Sequence, residues 1–437
     1  MRCKMKRAVL FLSFCAILFF FHTACLKAER NSRDVSTSSG LINDILYLLT
    51  IANSIESVSS LSPPFLINGE SYFSIMRGLG SETSVYIVQT KDGVTFTGYP
   101  VNGMKYARSV GGTGTVGYMA GAIFDPSFIT FYFSQFDQLN SSGSNIANGR
   151  LSNYITPVGV TSLSSSTTPS LSPSPTNPTL PSGEFVYRIF PFLAGGSSRY
   201  FLTATSTMQP YRLFFSPDFV SNSPVLLGSQ TFRDANACNT VYFGGGTVAC
   251  GVFSGASQIS PLTPGSAPAG TFINELMLNE SVPGNFVWPI QTSGAPNFTL
   301  DFRFGTTFPP GNIFAGTRPF SLGFSNPRRF KMVGTGGAGF AAIVFLADFC
   351  DSSGCGTHVV FINATGETST SGQPMASAPF GDGDSERGMA LFTTTGGNKV
   401  HFLYMQKEFL GSRQLMKITY DGLTVTPAQP VPITYLP

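Results

Sequence analysis

The sequence predicts an all-β protein, and within that class a β-propeller of about seven blades. Three observations carry the prediction. Val, Ile, Phe, Tyr and Thr recur in short runs broken by Gly, Asn, Ser and Pro, which is the composition of strands and tight turns. A unit of apolar strand, Gly-rich turn and second apolar strand recurs: VGGTGTVGYMAGAIF from Val110, VYFGGGTVACGVF from Val241 and VGTGGAGFAAIVF from Val333. The first and last hairpins share D-G-[V/L]-T-[F/V]-T, at Asp92-Gly93 and Asp421-Gly422.

With weaker units at Gly195-Gly196 and Gly396-Gly397, the spacing is roughly 40–60 residues, the period of antiparallel propeller blades. Tandem β-sandwich domains are the rival architecture. In that case the stretch 161–182, TSLSSSTTPSLSPSPTNPTLPS, would be an interdomain linker, whereas in a propeller it is a disordered surface loop. A transmembrane barrel fits poorly, because its strands alternate apolar and polar residues and runs such as FAAIVFLADF (340–349) do not.

In chain order, residues 1–24 are a signal peptide. MRCKMKR is basic, and Ala8 to Phe21 is an apolar run of 14 residues, shorter than the ~20 that span a bilayer. The run ends in His22-Thr23-Ala24-Cys25. A small residue before a cysteine at this place resembles the lipobox of bacterial lipoproteins, and the Phe-rich core resembles those of spirochaetes. His22 departs from the leucine usual there. The resemblance implies cleavage before Cys25, a diacylglycerol on its thiol with palmitate-type acyl chains, and a lipid-anchored protein of the cell envelope at the outer membrane. Residues 25–40 then form the lipidated cysteine and a polar tether. Residues 41–64 hold a short amphipathic helix, with Leu41, Ile45, Leu48, Ala52 and Ile55 at helical spacing, and a linker. The propeller is expected over 65–437.

Composition excludes several classes. Hydrophobic residues make up 42% and charged residues 11%, the reverse of a disordered chain. The formal charge of +3 includes four basic residues of the leader; without them 22 basic face 23 acidic residues. No basic patch interleaved with aromatics supports nucleic-acid binding.

Four cysteines remain beyond Cys25, in two close pairs, Cys238/Cys250 and Cys350/Cys355. An oxidising envelope permits each pair to clip a loop as a disulfide. Asp382, Asp384 and Glu386 space three carboxylates two apart in a Gly-containing loop, a weak Ca²⁺ candidate; a solvated acidic turn explains them as well. Asp348 and Asp351 are a fainter pair. Two G-x-G-x-x-G matches, at Gly112/Gly114/Gly117 and Gly334/Gly336/Gly339, are followed by strand-like runs rather than the helix a dinucleotide needs, so no cofactor is expected. His358 and His401 sit in strand-like segments and suit structural roles. Arg328, Arg329, Arg387 and Arg413 form no motif with a Tyr or Glu nucleophile, and no catalytic residue is assigned.

T-K-D-G-V-T-F at 90–96 is similar to the Asp-box of sialidase-like propellers, lacking the residue between Asp and Gly; Val425 replaces the aromatic in the second copy. The functional expectation is a non-catalytic lipoprotein that binds a protein or glycan through its loops. The alternatives are an Asp-box-type carbohydrate-active enzyme and a structural envelope component.

Overall fold

The computed structural model describes residues 56–108, 114–139, 146–171, 180, 182–190 and 199–204. It also describes separate strands between 210 and 316, and 324–437 with short breaks. Every regular element among them is a strand. The first sheet comprises β1 (Ser57–Ser59), β2 (Phe65–Ile67), β3 (Glu70–Leu79), β4 (Glu82–Thr90) and β5 (Phe96–Ala107). The second is β6 (Gly114–Asp125), β7 (Phe128–Gln138), β8 (Ile146–Ile155) and β9 (Ser170–Leu171). The third is β10 (Phe185–Phe190), β11 (Arg199–Ala204), β12 (Pro210–Ser216) and β13 (Val225–Leu226).

Two hairpins follow, β14 (Tyr242–Phe243) with β15 (Thr247–Val248), and β16 (Phe253–Ser254) with β17 (Ser257–Gln258). The next sheet is β18 (Thr271–Phe272), β19 (Met277–Leu278), β20 (Phe286–Gln291), β21 (Leu300–Gly305) and β22 (Ile313–Gly316). The penultimate is β23 (Phe324–Gly334), β24 (Ala341–Asp351), β25 (Gly354–Asn363) and β26 (Met375–Pro379). The last is β27 (Met389–Thr393), β28 (Val400–Lys407), β29 (Arg413–Tyr420) and β30 (Gln429–Pro430), after which β31 (Ile433–Tyr435) returns to the first sheet.

Each of the six larger sheets is an antiparallel meander taken in chain order, which is the construction of a propeller blade. In the first blade β1 and β2 both pair with β3 and together act as one interrupted first strand; β18 and β19 do the same beside β20. The first strands of neighbouring blades lie side by side, β6 with β10 and β23 with β27. The two hairpins between the third blade and the next stand in the chain where one more unit belongs, in keeping with about seven.

Apolar faces pack between blades, because a strand between two sheets is dry on both sides. One core joins blades one to three, around Tyr118, Phe131, Phe133 and Phe185. Another joins the last two, around Val344, Phe361, Phe402 and Tyr420. A third closes the ring: Val58, Leu61, Phe73 and Phe96 of the first blade meet Phe392, Leu403, Met405 and Leu415 of the last. The Phe73 and Phe392 rings stack at 6.5 Å across that seam. Gly388, just before β27, has no room for a side chain, since a Cβ there would stand 2.0 Å from the Leu61 carbonyl oxygen.

The two ends of the domain share one blade. β31 lies parallel to β5, with Ile433 opposite Phe96 and Tyr435 opposite Gly98. The Arg77 guanidinium lies 3.9 Å above the Tyr435 ring and pairs with Glu56 at 3.0 Å. The first blade thus takes its first strand from the start of the domain and its outermost from the end.

Two expected boundaries change. The domain begins near Glu56 rather than residue 65, because 57–64 carry the first strand of the first blade, with Leu61 and Ser62 fully buried. β1 pairs antiparallel with β3, Ser57 opposite Gly78 and Ser59 opposite Met76, and the turn Asn68-Gly69, both at positive φ (50° and 78°), folds β2 back onto the same strand. The Ser/Thr/Pro stretch is likewise not wholly a disordered loop. Its first part packs: Leu163 is buried, its carbonyl accepts from the Tyr99 hydroxyl at 3.2 Å, and 170–171 form β9. Ser162 there bonds Glu70 of the first blade, and Ser164 bonds Ser166 and Thr167, contacts that composition alone does not reveal. Residues 172–179, the leader, Cys25, the tether and the expected helix up to residue 55 lie outside the described residues.

Candidate functional site

The Asp-Gly turns are the most regular constellation in the molecule. Each joins the third strand of its blade to the fourth, Asp92 between β4 and β5, Asp421 between β29 and β30. In each the carboxylate caps its own turn. Asp92 Oδ1 accepts from the Val94 and Thr95 amides (2.8 and 2.7 Å), and Oδ2 from the Thr95 hydroxyl (3.0 Å). Asp421 repeats this with Leu423 and Thr424 at 2.9, 2.7 and 2.9 Å. Gly93 and Gly422 supply the positive φ, 68° and 99°. The backbone bonds hold both carboxyls below the usual range, so they stay ionised at neutral pH. Both oxygens are engaged, so neither group is suited to give up a proton near pH 7. The turns instead present rigid tips, Val94 at 65% and Leu423 at 69% exposure, each followed by a threonine hydroxyl.

Both turns also latch onto the preceding blade of the ring. The Gly422 carbonyl accepts from Asn363 Nδ2 of the penultimate blade at 3.4 Å, and the Gly93 carbonyl from Lys417 Nζ of the last blade at 2.6 Å. In the second contact His401 is pressed against Gly93, where a Cβ would lie 2.4 Å from Nε2. His401 Nδ1 bonds Thr419 Oγ1 at 3.1 Å, and the ring lies against Phe392. On the same side of the first blade, Glu70 Oε2 collects Tyr72 Oη, Gln89 Nε2 and Ser162 Oγ at 2.6, 2.6 and 2.8 Å. This ties the second blade's third-to-fourth connection to the first blade. Burial and the Glu70 carboxylate raise the Tyr72 hydroxyl far above its ordinary value.

The opposite face carries the ion pairs. Asp384, 5% exposed, is held by Arg413 at 2.9 Å with Lys407 at 3.9 Å, and the Arg413 amide donates to Ser57 Oγ. Arg413 opens β29 and Asp421 follows its end, so the two faces are about 26 Å apart at about 3.3 Å per residue. Glu56, where the domain begins, lies on the ion-pair face beside Arg77.

The sequence candidates separate accordingly. Asp384 spends its charge on Arg413; Glu386 lies outside the described residues; and among the described residues no group of three metal-ligating side chains gathers. Asp348 is likewise engaged, by Arg328 at 2.9 Å. Cys350 and Cys355 form the expected disulfide across the β24–β25 turn. Cys238, Cys250 and Arg387 are outside the described residues. The runs after both glycine motifs are strands, β6 and β24, as expected. His358 stands in β25 with its ring 5.2 Å from Phe349. Sequence reasoning missed Lys417 and the Glu70–Gln89–Ser162 cluster, since Lys417 meets Gly93 and Ser162 meets Glu70 only through blade packing. Within the turn itself Thr90, two residues before Asp92, was the legible signal: its Oγ1 accepts from the Gly93 amide at 3.0 Å.

No protein-family model and no curated protein matches the chain. Among solved structures it is similar to a protein of unknown function from Dyadobacter fermentans, at 13% identity and TM-score 0.39 over 84% of this chain and 94% of that one. It is also similar to a thermostable family-43 glycoside hydrolase (9%, TM-score 0.32, 71% and 90% covered). A third is the Bombyx mori GH32 β-fructofuranosidase (8%, TM-score 0.33, 90% and 93%). All three TM-scores fall below 0.5, so the propeller is read from strand order and inter-blade cores rather than from these likenesses.

Proposed function

We propose that the protein is a lipid-anchored envelope propeller that binds a protein or glycan through the face carrying the Asp-Gly turns. The observation that carries this reading is the pair of identically braced turns with exposed Val94 and Leu423 tips. A rigid tip loses little conformational entropy on binding, so its contact area is used efficiently. The anchor itself rests on the leader and Cys25. Intact-mass measurement of protein from its native membrane is expected to give cleavage before Cys25 plus acyl chains; an unlipidated mass overturns the anchor. Binding is tested by a glycan array and by envelope extracts, comparing the natural chain with Val94→Asp/Leu423→Asp. Equal capture by both overturns the turn face as the binding surface.

A carbohydrate-active enzyme is the second reading. It is favoured by the position of the turns between third and fourth strands, together with their similarity to the Asp-box. Release of reducing sugar from envelope or plant polysaccharides, abolished by no change at the turn tips, distinguishes it from binding.

A further inference from the structure

His401 sits where the ring closes, and its Nε2 has no hydrogen-bond partner although the residue is only 4% exposed. Two strands and the Gly93 turn pack around it. β29 supplies Thr419, which takes Nδ1, and Lys417, whose ammonium reaches past the ring to the Gly93 carbonyl. β27 supplies Phe392, with ring centroids 5.1 Å apart. The first blade supplies the Asp92-Gly93 turn, whose glycine backbone lies against Nε2. The charged groups that act on it are Lys417 and Lys399, which oppose protonation, and Asp92, which favours it.

A neutral imidazole fits this pocket as an apolar plate. A charged one does not: a proton on Nε2 creates a buried donor with no acceptor, beside a second cation. Relief requires water at Nε2, and water enters only where the Gly93 turn lifts off β28. That movement also breaks the Lys417–Gly93 bond, the polar contact that fastens this end of the seam between the first and last blades. We propose that this seam is an acid-sensitive latch, released when His401 is protonated and the first and last blades part at the Asp92-Gly93 turn.

The direction follows from linkage. Burial, then Lys417 and Lys399, hold the folded imidazole down to about 4 against an ordinary 6.5. The latch is therefore fully closed above pH 6.5 and weakens progressively as pH falls towards 4. Asp92, which the turn amides hold below its ordinary value, acts on His401 in both natural protein and test, so the comparison with His401→Gln isolates the imidazole's part of the change.

The test is amide hydrogen exchange of the full chain at pH 7, 5.5 and 4, corrected for intrinsic rates, in the natural protein and His401→Gln. Segments 91–96 and 400–406 are expected to open up to about 100-fold more readily at pH 4 than at pH 7, and the variant to show no such rise. An unchanged natural protein, or the same rise in the variant, overturns the proposal. Should the variant fail to fold, proton NMR titration of His358→Gln decides instead. An imidazole with a midpoint near 4 supports the latch; no imidazole titrating below 5.5 overturns it.

Discussion

At the scale of single residues, much of the architecture depends on where a side chain cannot go. Gly388 abuts the Leu61 carbonyl, a backbone atom that cannot swing aside, and its φ of 102° disfavours any L-residue. Gly388→Ala is therefore expected to cost at least about 2 kcal/mol, read as a fall in thermal midpoint with the far-UV spectrum retained. The aspartates test the opposite case, a side chain that is needed. Asp92→Ala and Asp421→Ala each remove the acceptor for two turn amides; the expected loss is about 1 kcal/mol for Asp92, with a change in the same direction for Asp421. Asp92→Asn should recover most of it, since a side-chain oxygen persists; chemical denaturation measures both. The capping was legible in the sequence, because Asp-Gly followed by Thr specifies its own turn. His401 was legible only as a histidine in a strand. Nothing adjacent in sequence announces that Gly93, more than three hundred residues away, forms the wall of its pocket.

At the scale of elements, pattern gave strands where runs were long and apolar and misjudged those that packing had to rescue. FAAIVFLADF was recognisable because β24 lies between two apolar neighbours, and Ala342–Ala347 are all buried. The first strand of the first blade was read as linker because Ser60, Ser62, Pro63 and Pro64 interrupt it; yet Asn68-Gly69 after it was a strong hairpin signal. The interruption has its own logic. Proline cannot donate to a ladder, so the strand leaves β3 between Ser59 and Phe65, while Ser62 Oγ accepts the Ser74 amide at 2.8 Å in place of a strand partner. β31 is the element with the most leverage for its size. Three residues place Tyr435 under Arg77 and against Tyr86 (ring centroids 4.9 Å). Removal of residues 432–437 is expected to lower the thermal midpoint markedly and to expose 96–98 to hydrogen exchange, with blades two and three less affected. Uniform loss of protection across the described blades would show that β31 holds the whole ring rather than one edge.

At the scale of the whole molecule, the ring is held by dry interfaces between sheets, of which the closing one is distinct because no loop crosses it except through β31. Phe73 and Phe392 make the test specific. Each change to Ala is expected to cost about 3 kcal/mol, and a double-mutant cycle should show coupling of about 0.5–1.5 kcal/mol if the seam is formed. Additive losses would mean that the two rings do not meet. Blade number was legible only approximately, since the repeat is carried by glycine-rich turns whose spacing drifts. Polar function was least legible, because the cluster at Glu70 joins residues from two blades and a stretch whose composition suggests disorder. Sharing one blade between the two ends of the domain also sets an order in time. During synthesis the strands at 57–67 are made long before 433–435, the residues that complete their blade. The ring cannot mature blade by blade to completion; its edge stays open for the whole passage of the chain. Until β31 covers β5, that blade carries an unpaired strand edge, the kind of surface at which folding chains aggregate.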